Sequence, residues 1–193
     1  MPLCGNIPQS AFASCTNLYS VDIPRAYRID SGAFKWCSNL SIVNNDTSPS
    51  CAIENDAFFG CGNLKNINFN NISTIGARAF RDCISLDKIN LKICSSIGEY
   101  AFSSCTGITQ ISLSKCSQIG SSAFANCTNL SKIYIYNPAS DQYCTLNNEY
   151  AFCVHDESSN CIINSNITFY FEPGVIEWYK TAEYWSHYSK YMI

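Results

Sequence analysis

Residue types able to do chemistry are few in this chain, and their spacing is poor. Two histidines, His155 and His187, limit any acid-base scheme. Cys144, Cys153, His155 and Cys161 bring zinc-type ligands within a short stretch. They lack the paired Cys-x2-Cys knuckle of a strong zinc motif, so they form a weak metal candidate. A local disulfide among the three cysteines, or free thiols, stand beside it as alternatives. No glycine-flanked nucleophile elbow surrounds any serine, and no glycine-rich loop cradles a phosphate. Glu54 and Asp56 lie on a turn of the repeat, where a solvated role outweighs acid-base work. The expectation is a protein without catalytic residues and without a cofactor.

What must position these residues is a chain of 193 residues, 47% apolar and only 14% charged, enough to bury one sizeable core. A net charge of −3 gives no pull toward nucleic acid or an anionic membrane. No run approaches the roughly 18 consecutive apolar residues of a membrane span. Thirteen cysteines are unusual, and their odd number leaves at least one thiol unpaired within the chain.

An internal repeat organises everything else. Ala-Phe recurs as Ala11-Phe12, Ala33-Phe34, Ala57-Phe58, Ala79-Phe80, Ala101-Phe102 and Ala123-Phe124, with a cysteine three residues after each Phe: Cys15, Cys37, Cys61, Cys83, Cys105 and Cys127. Five residues before the Phe stands Ile7, Ile29, Ile53, Ile75, Ile97 or Ile119. Leucine or isoleucine follows at six residues after it, valine or isoleucine at nine. Stretches such as Ile111-Ser112-Leu113 alternate apolar and polar residues, as a half-buried strand does. One short strand per repeat, with no coil able to bury its apolar face alone, predicts a solenoid of parallel strands. The Ala-Phe to Cys segment is read as a helical turn on the opposite wall. Gly76, Gly98 and Gly120 are read as bends that use glycine's wide backbone range. The six inward cysteines are read as small buried hydrophobes.

The coil Ile97-Gly98-Glu99-Tyr100-Ala101-Phe102-Ser103-Ser104-Cys105-Thr106-Gly107-Ile108, followed by Ile111 and Leu113, closely resembles the BspA-like class of leucine-rich repeats. The resemblance covers about residues 4–136. It implies an α/β repeat solenoid, a curved right-handed superhelix used for binding and common in surface proteins of bacteria and mucosal protists, with links to adhesion to host matrix proteins. Members often finish with a strand, a proline and a helix bearing a Tyr and, six residues later, a Trp. Tyr179 and Trp185 match that spacing, while Glu172 departs from it where an apolar residue is expected.

The expected organisation is six coils over residues 1–136, a degenerate coil with an inserted loop over 137–166, and a C-terminal cap over 167–193, all one structural domain. In the degenerate coil Asn147 stands where the inward Ile is expected and Cys153 directly follows Phe152. In the cap, Ile167 to Phe171 reads as a strand, and Val175, Trp178, Tyr179, Ala182 and Trp185 fall at helical spacing after Pro173. Cys4 and Ile7 already sit in repeat register. That predicts either an excerpt of a longer parent or an open first coil suited to end-to-end self-association. The first residues carry no secretion signal. Location on a cell surface or secretion as part of a longer parent is expected, with the cytoplasm as the alternative.

Outward residues of the strands form the candidate binding face. They include Asn66 and Asn68, Lys88, Asn90 and Lys92, Gln110 and Ser112, then Lys132, Tyr134 and Tyr136. Amides, hydroxyls and tyrosines of this kind suit a protein partner, including a host extracellular-matrix protein. A glycan is the alternative ligand, and a structural spacer of a longer surface protein is the alternative without one. Neither nucleic acid nor direct membrane insertion is expected.

Overall fold

The chain is described by a computed structural model over residues 5–45, 48, 50–136, 143–155 and 160–193, with Cys161 described by its backbone alone. Each coil turns its apolar columns inward and stacks on the next. The repeat was expected to supply one strand per coil; it supplies two in most coils. A seven-stranded parallel ladder runs through Asn6–Ile7, Arg28–Ile29, Cys51–Ile53, Ile72–Ile75, Ser96–Ile97, Gln118–Ile119 and Thr145–Leu146. It carries the inward isoleucine column, in register from Ile7 opposite Ile29 to Ile119 opposite Leu146. Most of these strands are two or three residues long, too short to leave an alternation in the sequence.

The second wall holds the expected strands as two parallel sheets. One comprises Ser20–Asp22, Ile42–Asn45 and Asn66–Phe69, the other Gln110–Leu113, Lys132–Ile135 and Thr168–Phe171. Between them the strand expected around Lys88 to Leu91 is reduced to one bridge, Asn66 to Lys88. The cause is local: the Asn90 side chain accepts the backbone N–H of Lys92 at 3.2 Å and draws the backbone into a turn. Asn45, the one polar residue in an apolar column, is buried and donates its amide to the Ala26 carbonyl at 2.6 Å.

The third wall is not helical as expected. Residues two before and two after the Phe of each of the six regular coils have left-handed backbones, among them Asp56 (φ 56°), Gly60 (φ 74°), Arg78 (φ 56°) and Asp82 (φ 61°). The N–H groups at these positions and at the Phe then donate to the following coil, as in Phe58 to Ala79 O at 2.8 Å and Gly60 to Arg81 O at 2.9 Å. A left-handed non-glycine residue costs about 1 kcal/mol, which the inter-coil bonds and the buried core offset. Gly98 serves close approach rather than the bend expected of it. A Cβ there would lie 2.5 Å from the backbone N of Ala77 in the preceding coil.

Inside, seven phenylalanine rings form one stack from Phe12 to Phe152, with centroids 5.1–5.2 Å apart and planes within 7°. Beside it the repeat cysteines are buried from Cys37 to Cys127. They are more than small hydrophobes. Each thiol donates to the Phe carbonyl of the preceding coil, at 3.0 Å for Cys37, Cys61 and Cys105 and at 3.2 and 3.1 Å for Cys83 and Cys127. Alanine fits the space but lacks the donor.

The end of the stack corrects two expectations. Leu146, not Asn147, takes the inward isoleucine place, because Leu146 pairs with Ile119 and one extra residue separates it from Phe152. The terminal helix is short, Ile176–Thr181, and a separate 3-10 segment, Trp185–Tyr191, follows a left-handed Tyr184. Buried in these two helical segments are therefore Tyr179, Trp185 and Tyr188, while Trp178 is exposed and stacks on Tyr143. The cap also completes backbone hydrogen bonding. The Tyr179 hydroxyl accepts the Cys144 N–H at 3.0 Å, and Trp185 Nε1 donates to the Cys144 carbonyl at 2.7 Å. The Tyr188 hydroxyl accepts the Phe152 N–H at 3.3 Å, filling the place of a carbonyl on a following coil. At the other end Cys15 is exposed, and Phe12, Leu18 and Val21 are half-buried.

Candidate ligand-binding face

The outward columns of the strand wall are held in register by the backbone ladders, so side chains one coil apart meet. In the first three coils this makes an amide ladder. Asn68 donates to Asn44 Oδ1 at 2.6 Å, and Asn44 donates to Asp22 Oδ1 at 2.6 Å. The ladder stops there because Asn90 turns its amide to the Asn70 carbonyl at 3.2 Å. Asn66, Lys88, Lys92, Gln110 and Lys132 are exposed along the same wall, with Ser112 half-buried among them.

In the last coils the face becomes aromatic. Tyr134 stacks on Tyr136 at 6.0 Å and on Tyr170 at 4.8 Å between ring centroids. Tyr170 was missed in the sequence because its strand was assigned to the cap alone. Yet Phe169 and Phe171 point inward, so alternation alone turns Tyr170 outward, and the strand register sets it beside Tyr134. The break at Asn90 leaves two hollows sharing Lys88 and Ile89. One, of about 330 Å³, lies against Asn68 and Asn70. The other, of about 190 Å³, lies against Gln110, Ser112 and Tyr134.

Among the described residues the weak metal candidate is not brought together. Cys153 is disulfide-bonded. Cys144 is a buried free thiol whose pKa is raised by its hydrogen bond with Cys116 and by burial. His155 Nδ1 faces the Asn126 side-chain amide at 2.8 Å, so this nitrogen accepts and the ring is already engaged. The Cys161 side chain lies outside the described residues. Among the described residues no group of three or more histidines, cysteines and carboxylates is placed to hold a metal ion. His187 also has a local partner, the Tyr184 carbonyl at 3.3 Å. Among them, too, no helix is long and apolar enough to cross a membrane.

Stacked parallel coils, with inter-coil hydrogen bonds on three walls and a polar outward face, define a leucine-rich-repeat solenoid, a class that generally serves protein interaction. The profile of the BspA type leucine-rich repeat region matches in six copies over residues 5–92, 28–152 and 93–172, and the chain belongs to that family. No curated protein matches the sequence. A leucine-rich repeat protein of T. pallidum shares the fold at a TM-score of 0.59 and 24% identity, over 68% of this chain and 65% of that one. Another, from Bacteroides ovatus, shares it at a TM-score of 0.51 and 21% identity, over 86% of this chain and 58% of that one. The chain thus spans less than two thirds of the length of either.

Proposed function

We propose that this chain is a non-enzymatic binding module of a cell-surface protein. Its strand face holds a protein partner during adhesion, an extracellular-matrix protein of a host being the expected class. The observation that carries the reading is the register of the outward columns. Amides, lysines and tyrosines repeat at the spacing of parallel strands, about 4.8 Å, which suits an extended partner lying across the coils. An extended face with few net charges favours contact area and hydrogen bonds over electrostatic steering. The test is surface plasmon resonance over immobilised collagen, laminin and fibronectin. Wild-type protein is expected to bind at least one, and the combined variant Lys88→Ala, Asn90→Ala, Lys132→Ala, Tyr134→Ala to bind it at least tenfold more weakly. Undiminished binding by a variant of wild-type thermal stability moves the site off this face. Failure of the wild type on all three favours a spacer role in a longer surface protein.

A further inference from the structure

We propose that the smaller hollow, under Tyr134, is a subsite for one uncharged pyranose residue of a glycan. The proposal rests on the strand face being the working surface and adds the chemistry of one ligand group. Its position follows from the interruption of the sheet. With no strand between Asn66–Phe69 and Gln110–Leu113, the wall recedes and half-buried Ile89 forms a floor with Ile111. The space measures about 190 Å³.

One wall is the Tyr134 ring. Strand register places Tyr170 on one side of Tyr134 and Ser112 on the other. Tyr170 stacks at 4.8 Å with planes 18° apart and fixes the ring's orientation. Tyr136 also stacks on Tyr134, at 6.0 Å, but does not line the hollow, and Ser112 is too small to cover the remaining side, so Tyr134 borders it. An oriented aromatic face is suited to the C–H face of a sugar ring. The remaining rim comes from Asp87, Lys88, Thr109 and Gln110. It offers carboxylate, ammonium, hydroxyl and amide groups, both donors and acceptors for ring hydroxyls. Asp87 and Lys88 cancel in charge, so the rim does not select an ionised ligand. An apolar floor, one aromatic wall and a convergent polar rim are the general features of a small-ligand site. A hexose presents a matching apolar face and hydroxyl edge.

Saturation-transfer NMR with the methyl glycosides of glucose, galactose and mannose, and with methyl glucuronide, tests this. At least one neutral glycoside is expected to receive saturation, strongest on the protons of one ring face, and to bind more tightly than the glucuronide. Two variants probe the site from opposite directions: Tyr134→Ala removes the wall, and Ser112→Phe fills the hollow while keeping Tyr134. Both are expected to keep the wild-type circular dichroism and melting temperature and to weaken sugar binding at least tenfold. Absence of transfer to all three neutral sugars, undiminished transfer in folded Ser112→Phe, or tighter binding of the glucuronide overturns the proposal. Matrix-protein binding that depends on the face without any sugar transfer sinks the subsite and leaves the broader function standing. Sugar binding without any matrix-protein binding does the reverse.

Discussion

The column of buried thiols makes the fold unusually sensitive to alkali. Burial pushes Cys51, Cys61, Cys94 and Cys127 up from an ordinary pKa of 9.0 to about 12. Cys83 and Cys105 are raised well above 9.0 by burial, and Cys144 by its hydrogen bond with Cys116 and by burial. These seven thiols stay protonated in the folded chain while the unfolded chain ionises near pH 9. Their contribution is therefore complete below pH 9 and is lost as pH rises toward the folded-state values. Each costs about 1.4 kcal/mol per pH unit in that window, so seven cost about 10 kcal/mol per unit against a typical total stability of about 5–15 kcal/mol. Cooperative unfolding is expected by roughly pH 10.5, with stability unaffected by these thiols between pH 6 and 8. Circular dichroism and ultraviolet thiolate absorbance, recorded together against pH under anaerobic conditions without reductant, would follow both events. The thiolate signal should appear with the loss of structure. Seven thiols ionising near pH 9 in a chain that keeps its native dichroism would refute the claim that the packed coils shield them.

Substitutions at two further positions test the cap and the Phe wall. Tyr179→Phe leaves the buried Cys144 N–H without its acceptor. It should cost about 1–3 kcal/mol in urea unfolding, whereas an unchanged midpoint would show that the cap works by packing alone. Ser104 has a left-handed backbone at φ 63°, so Ser104→Gly should stabilise by about 1 kcal/mol and Ser104→Val should destabilise. Equal stabilities in the two variants would contradict the backbone assignment of the Phe wall.

Much of the outward strand face is legible in the sequence. Alternation around Ile67, Ile111 and Ile133 turned Asn66, Asn68, Gln110, Ser112, Lys132 and Tyr134 outward, because strand geometry fixes the face of every second residue. Residues at Lys88 to Lys92 share the repeat's pattern yet leave the sheet, since a side-chain hydrogen bond from Asn90 competes with the ladder. That competition is decided by local geometry, to which a hydrophobic column is blind. Left-handed backbones were hidden for a related reason. They fall on Ser, Arg, Asp, Trp and Tyr as well as Gly, so residue type gives no warning.

The sequence by itself determined the repeat, the inward columns and the need for a lid, because periodic apolar residues must be buried and a terminal coil must be covered. It also showed that most cysteines belong to packing. Only the tertiary structure decided what those thiols do, since their acceptors are Phe carbonyls about 25 residues away in sequence. The same holds for Tyr179, Trp185 and Tyr188, which replace missing backbone partners, and for Tyr170, which joins Tyr134 across strands. Each of these contacts forms between distant segments, and their relative positions are set by how the coils stack rather than by the residues of any one coil.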